Sequence, residues 1–582
     1  MKRMPHRPIL PWLLIAARRL LGDDRVLLAV LAVLLGAIAG AAAIAFRLAI
    51  AGIQALAWGD GGDLLARHAA TLPWWQILLV PALGGLAIGV VTSRVLPGGR
   101  PQGVSHVIEQ AGRRGGRLRL GAGLWAAGLG AASLGFGASV GREGPVVHLG
   151  ATLASWLGQR LRVPTGLLRT LLGCGVAAGV AASFNAPIAG VFFALEVVVG
   201  HYTLTAFAPI VLASVTGTAV SRAWFGDYPA FVLASQPIAS FAEYPLFMLL
   251  GVVAAAVAAA LIRGVFLVED LFARWGPRLR LPAWTWPGIG GLGTGLVALV
   301  YPHVLGVGYE GTDLALQGAL PLAMLLGLLA AKLLATALSL GSGFSGGIFS
   351  PALFLGAVAG GAFGIAVGLA APGFASGSGA YATVGMGAVA GAVLGAPIST
   401  ILIVFEMTAD YAVTLAVMVG TVTAAALSTS LAGHCSLFAG QLARRRVAVP
   451  DERSLGPLSL ARVGDVLRTD PPTLPRRLSP VEAAAALRAL PYAEAVVVDD
   501  DGAVVGMLSA ADLLGAGGSA GALARADIPR LTPADTLRTA LDAFALAGAA
   551  RLPVVNGGRL VGIVQERDVL AAWHRAVEKA RA

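Results

Sequence analysis

Eight apolar stretches, each near the roughly 20 residues an α-helix needs to cross a bilayer, occupy much of the first 440 positions of this 582-residue chain. They run Val26–Trp58, Trp74–Leu96, Leu167–Ala182, Leu204–Ala223, Leu246–Val268, Trp286–Val300, Leu320–Leu340 and Tyr411–Leu431. Between them lie shorter apolar pieces cut by glycine and proline. Broken helices persist at membrane depth only where protein buries them or where they line a cavity. The pattern therefore predicts an all-α polytopic membrane domain with many tilted and interrupted helices. Composition agrees: 57% of residues are hydrophobic and 13% charged, against about 25% charged in a soluble domain, which excludes a string of soluble domains. The 78 glycines follow no Gly-X-Y period, so they point to close helix packing and not to collagen.

A formal charge of +11 and a pI near 10.3 would suggest nucleic acid in a soluble chain. Here the basic residues cluster beside apolar runs, at Lys2 to Arg7, Arg18 and Arg19, Arg113 to Arg119, and Arg444 to Arg446. That is the positive-inside pattern of cytosolic loops. Residues 1–25 are basic and then apolar, with no small-residue cleavage site before Asp23 and Asp24, and read as a retained cytosolic segment. Both termini are then cytosolic, and the expected location is the cell (inner) membrane. Cys174 and Cys435 show no CxxC spacing, which supports neither a disulfide framework nor a zinc site. No His-Glu-x-x-His or paired intramembrane Asp points to catalysis. The reading is of a protein that is not an enzyme and requires no metal or cofactor.

Internal comparison shows a duplication. Ala186-Pro187-Ile188 with Glu196 recurs 210 residues later as Ala396-Pro397-Ile398 with Glu406, each glutamate nine residues after its proline. Gly141, Pro145 and Leu149-Gly150-Ala151 match Gly347, Pro351 and Leu355-Gly356-Ala357 at an offset of 206. Two ordered pairs predict a membrane domain over residues 26–440 made of two repeats that meet near 225–245. Such repeats are commonly inverted, with a binding site where they meet. A linker is expected at 441–460. A second, smaller duplication follows, over 461–518 and 522–580: Leu478-Ser479-Pro480, Ala495 to Val498, Val505-Gly506 and Asp512 recur as Leu531-Thr532-Pro533, Leu552 to Val555, Val561-Gly562 and Asp568. Each copy is too small to bury a core comfortably alone, so the two should pack as a pair.

The densest chemical signal is Gly137-Ala138-Ser139-Val140-Gly141-Arg142-Glu143-Gly144-Pro145. A carboxylate inside a membrane segment costs about 2.5 to 3.5 kcal/mol on insertion scales, so Glu143 needs compensation. Glycines leave backbone N–H groups bare and Pro145 suits a first helical turn, so the segment builds a helix N-terminus whose positive end can hold that carboxylate. The same geometry holds a free anion, which makes Glu143 a tethered competitor for an anion site. The counterpart, Gly341 to Pro351, again places exposed backbone before a proline-started helix, without a carboxylate.

These residues resemble the CLC family of chloride channels and proton/chloride antiporters, in the form that carries a C-terminal pair of CBS domains. The likeness rests on GREGP at Gly141 to Pro145, GIFSP at Gly347 to Pro351, FNAPIAG at Phe184 to Gly190 and APISTILIVFEMT at Ala396 to Thr408. It implies the inverted-repeat CLC architecture, a homodimer with one anion pathway per subunit, chloride as the transported ligand, and a small cytosolic α/β tail. The resemblance assigns the anion filter to three stretches: Pro97, Gly98, Gly99, Arg100 and Pro101; Gly141, Arg142, Glu143, Gly144 and Pro145; and Gly347, Ile348, Phe349, Ser350 and Pro351. Glu143 falls on the gating glutamate, and Ile348 and Phe349 fall where backbone N–H groups meet chloride.

Three departures bear on mechanism. Gly98 stands where the family usually has the serine of the central site, and Phe438 where it has a tyrosine, so both side-chain hydroxyl donors are missing. Val197 occupies the position of the inner proton glutamate of family antiporters, and valine cannot relay a proton. These departures lean toward channel-like or weakly proton-coupled chloride movement, with a proton-coupled antiporter as the alternative. Fluoride exporters of the same superfamily depart from the GREGP form and usually lack the tail. An organic-anion carrier on inverted repeats is the alternative from outside the family. Glu196 and Glu406 read as helix caps or braces. In the tail, the resemblance to CBS pairs implies an adenine-nucleotide site with Ser509, Asp512 and Asp568 as its residues; a purely structural pair is the other reading.

Overall fold

The computed structural model describes residues 24–447 and 461–581, apart from 63, 114, 201–203, 228–230, 232–237, 239, 373–375, 491–492 and 514–517. Residues 1–23 and most of the expected linker lie outside the described residues. The chain divides into two units, Met1–Val449 and Pro450–Ala582.

The first unit is helical. Its helices of seven residues or more are α1 (Asp24–Trp58), α2 (Trp74–Val95), α3 (Val104–Arg113), α4 (Leu120–Gly135), α5 (Glu143–Arg160), α6 (Thr165–Phe184), α7 (Pro187–Phe193), α8 (Leu204–Phe225), α9 (Tyr244–Arg278), α10 (Trp286–Val300), α11 (Tyr309–Leu316), α12 (Leu322–Ser342), α13 (Phe349–Ala370), α14 (Ser378–Leu394), α15 (Pro397–Thr408), α16 (Tyr411–Ala432) and α17 (Leu437–Arg444). Eight helical stretches among the described residues are long and apolar enough to cross a membrane. Two differ from the sequence expectation. Trp286–Val300 is a helix of only 15 residues, while Phe349–Ala370, whose glycines read as interruptions, is a continuous helix of 22. Those glycines do not break α13 because they seat neighbouring helices: a Cβ on Gly356 would lie 2.2 Å from the Gly385 carbonyl oxygen of α14, and one on Gly360 would lie 2.1 Å from that of Tyr381.

The duplication is visible element by element. Helices α5 to α8 correspond to α13 to α16, and the glycine crossing recurs, since a Cβ on Gly150 of α5 would lie 2.2 Å from the Gly175 carbonyl of α6. Asn185 and Gly395 end α6 and α14 in the left-handed conformation, with φ of 60° and 65°. Pro187 and Pro397 then start α7 and α15, where a missing N–H costs nothing. Each of these short helices receives its acidic cap from the other repeat. Glu406 accepts hydrogen bonds from the N–H groups of Ile188 (2.9 Å) and Ala189 (2.7 Å), and Glu196 accepts from Ile398 N (3.3 Å), Ser399 N (2.9 Å) and Ser399 Oγ (2.5 Å). The capping role read from the sequence is therefore present, and it acts across the repeat boundary.

The second unit holds α18 (Pro480–Arg488), α19 (Leu537–Ala547) and α20 (Glu566–Arg581) with strands β1 (Thr473–Pro475), β2 (Glu494–Val498), β3 (Val504–Ser509), β4 (Arg551–Asn556) and β5 (Arg559–Gln565). β1 is parallel to β2, and β2 is antiparallel to β3; β4 and β5 form the matching hairpin of the second copy. Ser479 caps α18 in a reciprocal box with Glu482. The second copy departs here: Thr532-Pro533 opens no helix, and α19 starts at Leu537 with Thr536 as its cap. Segment 463–466 accounts for the delay, since Gly464 N donates to the Pro533 carbonyl (3.0 Å) and Val463 N to that of Asp535 (2.8 Å).

Candidate functional site

The two glycine-rich stretches meet head to head. Gly141 N donates to the Gly347 carbonyl and Gly347 N to that of Gly141, both at 2.7 Å. A Cβ on Gly144 would lie 2.8 Å from Gly347 Cα, so only glycine lets the two backbones touch. The N-termini of α5 and α13 converge at this contact, and the N–H groups of a first helical turn have no acceptor within their own helix. Paired helix N-termini concentrate positive potential on one spot.

Glu143, the first residue of α5, sits at that spot and is 3% exposed. Its Oε1 accepts a hydrogen bond from the Ser350 hydroxyl of α13. Its Oε2 is buried and has no hydrogen-bond partner among the described residues. A cavity of about 10 Å³ adjoins the carboxylate, walled by Val104, Val180, Phe184, Phe193, Ile348, Phe349, Leu394 and Phe438. That is room for about one water-sized particle. Arg142 faces another way. It lines a larger pocket of about 210 Å³ together with Arg47, His303, Tyr309 and Glu310. Its guanidinium lies over the Tyr309 ring at 4.8 Å and donates from Nη2 to the Ser183 carbonyl at 2.8 Å. Glu143 thus lines the small chamber, while its neighbour Arg142 lines the larger basic pocket.

The structure gathers some of the expected residues and not others. Gly141 to Pro145 and Gly347 to Pro351 are buried together. Phe438 joins them: Ser436 caps α17 by accepting from Ala439 N at 3.1 Å, and the ring two residues on lies against the chamber. Pro97 to Arg100 are exposed, Pro101 is half-buried, and none of the five lines the chamber. They form a short turn with Gly98 at φ 72°, and the chain reaches the chamber only at Val104, where α3 begins. Val197 lies half-buried in a π-turn that continues α7 over residues 194–199. In the tail, Asp512 accepts from Ser509 N (2.8 Å) and Oγ (2.6 Å), and Asp568 is held by Arg468 at 2.7 and 3.1 Å. The hydrogen bonds from Arg468 hold the Asp568 carboxyl below the usual carboxylate range.

Two buried groups escaped the sequence reading. Lys332 of α12 is fully buried and donates to the carbonyls of Val304 (3.0 Å), Gly306 (3.1 Å) and Val307 (3.4 Å), which pins a loop of the larger pocket's wall. His148 of α5 is 1% exposed and bonds His106 of α3. The available signal was its position five residues after Glu143 on one helix; a lone histidine in an apolar run gives no hint of its partner.

Comparison with known proteins agrees with this geometry. A family model described as voltage gated chloride channel matches residues 84–429, and a CBS domain model matches 463–518 and 520–575. A putative chloride channel protein ClcB-like from Ralstonia nicotianae is 35% identical over 418 residues, which is 71% of this chain and 96% of that protein. The H(+)/Cl(-) exchange transporter ClcA of Yersinia pestis is 33% identical over 320 residues, covering 54% of this chain and 66% of that one. Among solved structures, a slow cyanobacterial Cl-/H+ antiporter superposes with a TM-score of 0.64 at 24% identity, over 73% of this chain and 98% of that one. A eukaryotic CLC transporter gives 0.61 at 21%, over 93% and 97%. With these matches and its apolar helices, the chain is an integral membrane protein that belongs to the CLC family of voltage gated chloride channels and carries a C-terminal pair of CBS domains.

Proposed function

We propose that this protein conducts chloride across a membrane along a route that passes Glu143, whose carboxylate competes with the anion for the converging N-termini of α5 and α13. The observation that carries the reading is the placement of one buried carboxylate at two helix N-termini, against a small apolar-walled chamber and next in the chain to the arginine of a larger basic pocket. Backbone N–H groups at Ile348 and Phe349 supply the anion contacts, as oriented dipoles do elsewhere. The chamber volume favours a monatomic anion over an organic one. Phe438 lines the chamber and offers no hydroxyl, and Gly98 stands away from it, so the anion contacts at the chamber rely on backbone.

Coupling is the finer question, and we read it as channel-like or weakly proton-coupled, because Val197 carries no proton. The coupled antiporter is the second reading, favoured by the Yersinia relative being an exchange transporter by name. The protein would act as a homodimer in the cell membrane with cytosolic termini, in keeping with its basic segments at Arg113 to Arg119 and Arg444 to Arg446. Light scattering in detergent tests the dimer. The function is tested in liposomes under a chloride gradient, with chloride and pH recorded together. Chloride flux without proton movement supports the first reading, and protons driven uphill by chloride support the second. No chloride flux overturns both.

A further inference from the structure

Basic residues that are scattered along the sequence come together where four helix ends meet. α3 ends at Arg113, α4 begins just after Arg119, α5 ends at Arg160 and α6 begins at Thr165. The segment between α3 and α4 is stapled to the other two helices. Gly116 N donates to the Gln110 carbonyl (2.9 Å), and the Ser155 hydroxyl of α5 donates to the Gly116 carbonyl (2.6 Å) while accepting from Leu118 N (2.7 Å). Gln159 Nε2 donates to the Leu118 carbonyl at 2.9 Å, which sets the next residue, Arg160, beside this segment. Gly116, at φ 83°, also meets α6, since a Cβ there would lie 3.4 Å from the Leu172 side chain and 3.6 Å from that of Leu168. Burial alternates along the segment: Gly116 and Leu118 are buried, and Arg117 and Arg119 are exposed.

The result is a surface of one sign. Arg113, Arg117, Arg119, Arg160, Arg162 and Arg169 are all exposed, and none of them is in an ion pair among the described residues. Arg160 lies over the Trp156 ring at 5.9 Å, and Arg169 Nη2 donates to the Gly112 carbonyl at 3.4 Å. From residue 110 to 195 the sole acidic residue is Glu143, which is buried at the chamber, and Glu109 of α3 is half-buried. The arginines around the end of α9, Arg274, Arg278 and Arg280, differ in having Glu269 and Asp270 in the same stretch. An apolar face adjoins the arginines. α4 exposes Gly121, Leu124, Trp125 and Gly128, which the spacing of three, four and seven puts on one side of the helix. Nothing lies within 4 Å of a Cβ placed on Gly121 or Gly128, so the helix surface is low on both sides of Leu124 and Trp125.

We propose that this end of α3 to α6 binds an anionic phospholipid of the leaflet it faces, with the headgroup phosphate among Arg117, Arg119 and Arg160 and an acyl chain along the exposed face of α4. Guanidinium groups pair with phosphate through two parallel hydrogen bonds, and arginine clusters beside a membrane-spanning helix draw anionic headgroups. A tryptophan at the level of the headgroups is the usual interfacial anchor. The bias of basic residues toward one side of the membrane accounts for the sign of this segment, but it asks neither for the convergence of four helix ends nor for an open apolar face below them. Free phosphate would leave that apolar face unused. A second copy docked here about a twofold axis would set the same arginines against each other. The proposal stands apart from the role of Glu143.

The test is a titration of the full-length protein, stripped of lipid in detergent, with phosphatidylglycerol, bound lipid being counted by native mass spectrometry. The combined variant Arg117→Gln, Arg119→Gln, Arg160→Gln should bind phosphatidylglycerol at least about tenfold more weakly than wild type. Arg274→Gln, Arg278→Gln, Arg280→Gln removes three charges from the end of α9 and should leave the affinity within about twofold. All six residues are exposed, so both variants should melt as wild type does; if the first does not, Arg117→Gln alone is measured and should still weaken binding. Phosphatidylcholine and millimolar inorganic phosphate should not displace the bound lipid. Unchanged affinity in the first variant overturns the site, and equal losses in both variants overturn it in favour of attraction by overall charge. Displacement by inorganic phosphate overturns the lipid as occupant, and a shift of the monomer–dimer balance in the first variant with its lipid count unchanged makes the surface a contact between copies instead.

Discussion

Arg142 and Glu143 are neighbours in the chain and line different cavities, the guanidinium a pocket of about 210 Å³ and the carboxylate a chamber of about 10 Å³. One residue step at a helix start thus separates a pocket lined by arginine from the carboxylate that, in the proposed route, competes with the anion. Removing either charge should have a different signature, and the carboxylate gives the sharper one.

Glu143→Gln mimics protonation and Glu143→Ala vacates the site. Chloride flux should persist in both and lose most of its dependence on pH, and any proton movement should stop. An ordinary helix cap would instead lose about 0.5 to 2 kcal/mol of stability with the pH profile intact. Flux at two pH values beside a melting curve distinguishes these outcomes.

Ser350→Ala removes the hydroxyl that donates to Glu143 Oε1. A hydrogen bond to a charged group contributes about 1.5 to 3 kcal/mol, and about 1.4 kcal/mol is tenfold in an equilibrium. The carboxylate should therefore leave its closed position more often, and flux at neutral pH should rise about tenfold or more. Initial rates of chloride efflux measure this; an unchanged rate would mean that the serine does not hold the gate.

Glu196 and Glu406 cap helices of the opposite repeat. Replacing either with alanine strands two backbone N–H groups at a helix end, one of each pair at a buried residue (Ala189, Ser399), and should cost about 1 to 3 kcal/mol, read as a lower melting temperature. The pH dependence of flux should not move, because neither group touches the chamber.

Gly356→Leu places a side chain 2.2 Å from the Gly385 carbonyl oxygen, where backbone cannot yield. A loss of about 3 kcal/mol or more is expected, seen as aggregation on size exclusion. Gly368→Ala on the same helix meets nothing within 4 Å and should be neutral or stabilising by up to about 1 kcal/mol. Equal damage from both would contradict the crossing assigned to α13 and α14.

The Asp568 and Arg468 pair links tail stability to pH. Because hydrogen bonds from Arg468 lower the folded-state pKa, the contribution is complete above the unfolded carboxylate value of about 3.9 and disappears as pH falls through the lowered one. Asp568→Asn should cost up to about 1 kcal/mol near pH 7, as exposed pairs do, and the gap from wild type should narrow and then close as pH falls through the lowered folded-state value. Melting of residues 450–582 across this range checks the sign. Calorimetry with ATP or AMP on the same fragment tests nucleotide binding, for which Arg468 must release Asp568; absence of heat removes the sensing role.

Much of this was legible before any coordinates. Apolar runs and bare glycines fixed a membrane domain, since unpaired backbone cannot face lipid. The matched prolines and glutamates disclosed the duplication, and a carboxylate among glycines before Pro145 marked its own compensation by a helix N-terminus. All of these are patterns in the order of residues along the chain, readable without knowing which segments touch. What only the tertiary structure decided are pairings between distant segments: Gly141 with Gly347, Ser350 with Glu143, Glu196 with the opposite repeat, and His106 with His148. It also set Pro97 to Arg100 apart from the chamber and brought Val104 and Phe438 to it. Such contacts depend on how helices cross, and crossing is set by the summed fit of many small residues, which no single stretch of sequence encodes.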